Sequence, residues 1–113
     1  MRIGELSERS GISRDTIRFY ERNGLIESQT GESETNNYRN YPDDNLVKLE
    51  FYTKARSAGI SIADLRDIMQ AISGRCDADL ARSVIRNKIA ELRERAERIG
   101  NVVAFLEDAV DKR

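Results

Sequence analysis

From Ile85 to Val110 apolar residues recur in steps of 4, 3, 4, 3, 4, 3 and 4, through Ile85, Ile89, Leu92, Ala96, Ile99, Val103, Leu106 and Val110. That alternation is the heptad signature of a helix with one apolar seam. Between 77 and 111 there is no proline and only one glycine, Gly100, so nothing interrupts the pattern. A helix over those residues would be roughly 50 Å long, at about 1.5 Å per residue. The preceding 76 residues of this 113-residue chain make too small a body to cover a rod of that length. The seam therefore needs another surface, and a second copy of the same rod is the simplest one. The eight seam residues are expected to be dimerisation residues.

The charges beside the seam favour one orientation. With Ile89 at heptad position a, Arg86, Arg93, Gly100 and Glu107 fall at e, and Lys88, Arg95, Val102 and Ala109 at g. Parallel pairing would set Lys88 of one copy against Arg93 of the other, which repels. Antiparallel pairing centred near Ala96 and Glu97 sets Arg86 opposite Glu107, with Ala96 and Gly100 allowing close approach. An antiparallel two-stranded coiled coil is the expectation.

Upstream of the rod the spacing shortens. Ile3 and Leu6 predict a first short helix over 3–9, stopped by Ser10-Gly11. Ser13 is a hydroxyl cap for a second helix, with Asp15 in its first turn and Asn23-Gly24 as its stop. Two short helices joined by a glycine-containing turn make the helix-turn-helix pattern. The polar run 27–37, between Leu25-Ile26 and Tyr38 to Tyr41, reads as the tip of a two-stranded hairpin. Pro42-Asp43-Asp44 opens a third helix with Leu46, Leu49, Tyr52 and Ala55 inward and Gly59 at its end. Ser61 and Asp64 open a fourth, with Leu65, Ile68, Met69 and Ile72 as its apolar face and Gly74 as its stop.

Within the second helix, Arg14, Arg18 and Arg22 fall at four-residue spacing on one stripe, with Ile17 on the other side as an anchor. Arginine forks suit phosphate oxygens and guanine edges. The bland reading is a solvated face with an Arg18–Glu21 pair. The net charge of −1, from 19 basic and 20 acidic residues, rules out a wholesale basic footprint, so any anion-binding face must be built locally. Residues 1–26 hold five basic and four acidic groups, whereas 27–45 hold one and five. Tyr41 is expected to pack the hairpin on the core.

A lone cysteine, Cys76, excludes an intrachain disulfide framework and fits a reducing compartment. No apolar run reaches the length of a membrane span and no signal-peptide core opens the chain, so a cytoplasmic protein without membrane association is expected. No histidine, no glycine-rich phosphate loop and no cysteine with a plausible base argue against an enzyme. One thiol per chain leaves a tight soft-metal site short of ligands, so neither metal nor cofactor is expected. Cys76 lies beside Arg75 and a predicted helix start, where a thiolate would be stabilised; it reads first as a small buried filler, with a redox or signal site as the alternative.

In this order the pieces resemble the MerR family of bacterial transcription regulators. The resemblance spans essentially the whole chain and rests on Ile17-Arg18-Phe19-Tyr20-Glu21, Gly24-Leu25-Ile26, Tyr38-Arg39, Tyr41, Leu46, Leu49, Arg56, Gly59, Ser61 and Leu65. It implies a mainly α fold: a winged helix-turn-helix domain with two supporting helices over 1–75, then a dimerisation helix over 76–113 forming an antiparallel coiled coil. It further implies a homodimer on double-stranded promoter DNA, bending and untwisting it, with RNA polymerase as a partner at the promoter. By matching positions, DNA contacts would come from Arg14, Asp15, Thr16, Arg18, Tyr20, Tyr38, Arg39 and Arg56, with Arg14, Asp15 and Thr16 nearest the base edges. Asn37 stands where the family commonly has glycine, and Glu32 and Glu34 would face phosphates unfavourably, so either the wing tip points away or affinity is modest. Two other readings stay open: a coiled-coil interaction protein with a non-functional helix-turn-helix, and a thiol- or metal-responsive regulator acting through Cys76.

Overall fold

A computed structural model describes residues 1–30, 39–74 and 77–112. Among them run α1 (Ile3–Ser10), α2 (Arg14–Arg22), β1 (Gln29–Thr30), β2 (Arg39–Asn40), α3 (Asp44–Ser57), α4 (Ile62–Ile72) and α5 (Ala78–Asp111). The chain falls into two compact units, Met1–Met69 and Gln70–Arg113, which divide within α4.

In the first unit, α1 ends at Gly11, which takes the left-handed φ of 74° that a side chain would resist. The Ser7 hydroxyl donates to the Ile12 carbonyl at 2.6 Å, and the Ser10 hydroxyl accepts from the Ile12 amide at 3.2 Å, fixing the turn into α2. Ser13 caps α2 by accepting from the Thr16 amide at 3.2 Å. Leu6, Ile17, Leu49 and Leu65, one from each of the four helices, are buried together with Leu25, Ile26, Tyr41 and Tyr52. Ser61 opens α4 by accepting from the Asp64 amide at 3.1 Å.

The wing departs from expectation. Leu25 and Ile26 are not strand residues but buried core, and pairing begins at β1, where Gln29 faces Asn40 and Thr30 faces Arg39 in an antiparallel register. Apolar side chains immediately after Gly24 gain more by entering the core than by lying along an exposed two-stranded ribbon. Asn45 holds this segment: buried in α3, its side-chain amide donates to the Glu27 carbonyl at 3.0 Å. The Tyr52 hydroxyl donates to the Leu25 carbonyl nearby.

In the second unit, α5 is a continuous helix capped by Asp77, which accepts from the Leu80 amide at 3.3 Å. None of its side chains is buried, and Ile89, Ile99, Val103, Leu106 and Val110 of the seam are exposed. Ile72, expected inward on α4, is also exposed, whereas Ala71 is buried. No helix among the described residues is long and apolar enough to cross a membrane.

Candidate nucleic-acid interface

The helical period places Ile17 and Tyr20 on the inner face of α2 and leaves Arg14, Arg18 and Arg22 on the outer one. Those three guanidinium side chains line a cleft of about 660 Å³, and Arg39 joins them from β2. The expected arginine stripe and the wing arginine thus meet at one concave surface. Arg2, before α1, lines it too and was not foreseen.

Arg18 pairs with Asp15 at 3.6 Å, not with Glu21. Asp15 is 98% exposed, so this pair is solvated and weak. Glu21 instead turns toward the wing. Its carboxylate accepts from the Ser28 hydroxyl at 2.9 Å, from Arg39 Nη1 at 2.8 Å and from the Tyr41 hydroxyl at 2.8 Å. Three donors on one carboxylate tie the end of α2 to β2 and fix the angle between recognition helix and wing. Burial raises the Tyr41 hydroxyl above its ordinary pKa, and the neighbouring Glu21 carboxylate adds to the shift.

The start of α1 is held to the same strand. The Tyr41 amide donates to the Met1 carbonyl at 2.6 Å, and the Met1 nitrogen donates to the Asn40 side chain and the Tyr41 carbonyl, each at 2.8 Å. Met1 therefore runs beside β2, and Arg2 leaves it toward the cleft.

The other expected contacts are placed differently. Thr16 sits in the first turn of α2, its hydroxyl accepting from Ser13 at 2.9 Å. Arg56 lies at the end of α3, donating to the Ile60 carbonyl at 2.9 Å, and is not among the residues lining the cleft. Tyr20 is 6% exposed and its ring centroid lies 5.4 Å from that of Tyr52, so its ring packs in the core. Its i, i+3 relation to Ile17 is the signal that pointed inward. Tyr38 and the proposed signal site Cys76 lie outside the described residues, as do Asn37, Glu32 and Glu34.

A short helix crossing a second one through a tight glycine turn, followed by a two-stranded wing that shares an arginine-lined cleft with the second helix, defines a winged helix-turn-helix DNA-binding protein. Residues 1–72 match the family described as MerR HTH family regulatory protein, and residues 46–109 match the one described as MerR, DNA binding. The chain belongs to the MerR family of helix-turn-helix transcription regulators. It is 34% identical over 112 residues to the HTH-type transcriptional regulator HmrR of Rhizobium leguminosarum bv. viciae, spanning 97% of this chain and 84% of that one. A solved MerR family transcriptional regulator from Listeria monocytogenes superposes with a TM-score of 0.80 at 29% identity, over 98% of this chain and 83% of that one. The fold is also that of HiNmlR, a MerR family regulator lacking the sensor domain, solved bound to promoter DNA: TM-score 0.54, 24% identity, 96% of this chain and 90% of that one.

Proposed function

We propose that two copies of this chain, joined by antiparallel pairing of α5, grip promoter DNA through the arginine cleft of each copy and regulate transcription by bending and untwisting the duplex. The observation that carries the reading is the convergence of Arg14, Arg18, Arg22 and Arg39 on one concave surface of a chain whose net charge is −1. Glu21 and Asp15 offset part of this charge at Arg39 and Arg18, and a polyanion would offset the rest. Arg14, Arg18 and Arg39 form the centre of the interface, with Asp15 and Thr16 at the exposed start of α2 toward the base edges. Tyr38 is a further contact by family resemblance, and Arg56 contributes from α3 at the periphery. Two heads held apart by a rod suit symmetric half-sites and a deformed duplex, and RNA polymerase is the partner at such a promoter. In this role the protein is not an enzyme and works in the cytoplasm. Cys76 is the thiol through which an oxidant or electrophile would act, tested by Cys76→Ser in a diamide-challenged promoter assay.

Fluorescence anisotropy with a labelled duplex selected by the protein from a random-sequence library tests the main reading. Preferential binding with a steep fall in affinity as salt rises is expected. Arg18→Ala should weaken that binding by about tenfold to a hundredfold, the size of a lost charge-assisted contact, and leave the oligomer mass unchanged. Failure to select any duplex would point to the coiled-coil interaction protein instead.

A further inference from the structure

Glycine is the poorest helix former after proline, yet Gly4 stands in the first turn of α1. Across the interface with α2 stands Arg14. A Cβ at position 4 would stand 2.8 Å from Nη2 of Arg14 and 3.5 Å from its Cζ, so the exposed guanidinium would have to swing aside. The Arg14 head lies over the space that the glycine leaves open. Arg2, two residues before, and Arg22, at the far end of α2, line the same cleft as Arg14, Arg18 and Arg39. Arg2 does not hang from a loose end, because the Met1 backbone is hydrogen-bonded on its carbonyl and nitrogen sides to Tyr41, the residue after β2. A helix laid in a major groove has the sugar–phosphate strands along its flanks, and this cleft lies along one flank of α2.

We propose that Arg2 and Arg22 are further ligands of the duplex sugar–phosphate backbone, and that Gly4 is a positioning residue whose open space sets the aim of Arg14. The inference rests on the DNA-binding reading above, adds Arg2 and Gly4 to it, and gives Arg22, already on the arginine stripe, a specific role on the phosphates. Phosphate ligands contribute through charge and independently of sequence. Arg2→Ala and Arg22→Ala should each weaken binding to a selected and to a mixed-sequence duplex by the same factor. Each should also flatten the logarithmic salt dependence by about one unit per subunit. Arg2→Lys and Arg22→Lys keep the charge and should restore the slope. Gly4→Ala should leave the melting midpoint unchanged or raised, since alanine is the better helix former, and yet narrow the preference for the selected over the mixed-sequence duplex. In an Arg14→Ala background the same substitution should have no further effect.

An unchanged salt slope in either alanine variant removes that arginine from the interface. A Gly4→Ala protein with full sequence preference removes Gly4 as a positioning residue. If these outcomes occur while Arg18→Ala still weakens binding, this inference fails and the DNA-binding reading stands; if Arg18→Ala is also without effect, both fall.

Discussion

Two residues show how single side chains hold the reading head in shape. Glu21 is 14% exposed at its side chain and accepts from Ser28, Arg39 and Tyr41. Glu21→Ala would strand the Tyr41 hydroxyl and release Arg39, at a cost of about 1–3 kcal/mol for the unsatisfied buried group. Glu21→Gln, which keeps an acceptor, should lose less, and urea denaturation midpoints read the difference. Tyr52 is the second. Burial, reinforced by the nearby Tyr20, pushes its hydroxyl up to about 12 from an ordinary 10. The raised value means the folded state holds the proton more tightly than the unfolded one. Its contribution is complete below pH 10 and is lost as pH rises through about 12. A shift of that size corresponds to roughly 2–3 kcal/mol. Melting curves recorded across alkaline pH should fall over that window, and Tyr52→Phe should fall less steeply there because its ring has nothing to titrate.

Among the elements, α2 was the most legible because its start and stop are chemical. Ser13 satisfies the Thr16 amide and Gly24 takes a left-handed φ of 73°, both readable as residue types before any packing is known. Ser13→Ala should therefore destabilise the first unit by about 1 kcal/mol, seen as a lower denaturant midpoint. In α3 the period found Leu49, Tyr52 and Ala55, but Asn45 on the same inward face reads as a polar flaw until the chain brings the Glu27 carbonyl to it. The strands were set too early because Leu25 and Ile26 carry strand propensity, and propensity cannot tell a ribbon from a core-lining loop. The candidate site divides in the same way. Arg14, Arg18 and Arg22 share a stripe by local period alone, whereas Arg2 and Gly4 reach the cleft only through the packing of α1 on α2. For Tyr20 the helical phase pointed inward while the family resemblance pointed to DNA, and its ring is buried.

For the molecule as a whole, α5 sets the question of assembly. A helix of 34 residues with no buried side chain keeps Leu106 56% and Val110 71% exposed, a run of apolar surface that water disfavours. In the proposed dimer, a second copy laid antiparallel would cover the seam and put Arg86 beside Glu107. Replacing Ile99 with aspartate, close to the proposed centre of the pair, should convert dimer to monomer and lower duplex affinity with it, because each head alone holds half the contacts. Cysteine introduced at Val110 should crosslink poorly to its own counterpart, as antiparallel ends lie a rod's length apart. The most direct measurement of the central claim is sedimentation velocity of a labelled selected duplex with the protein at micromolar concentration. Two chains per duplex, from a protein that is already a dimer when free, is the predicted result. A chain that sediments as a monomer and leaves the duplex unbound would contradict the account.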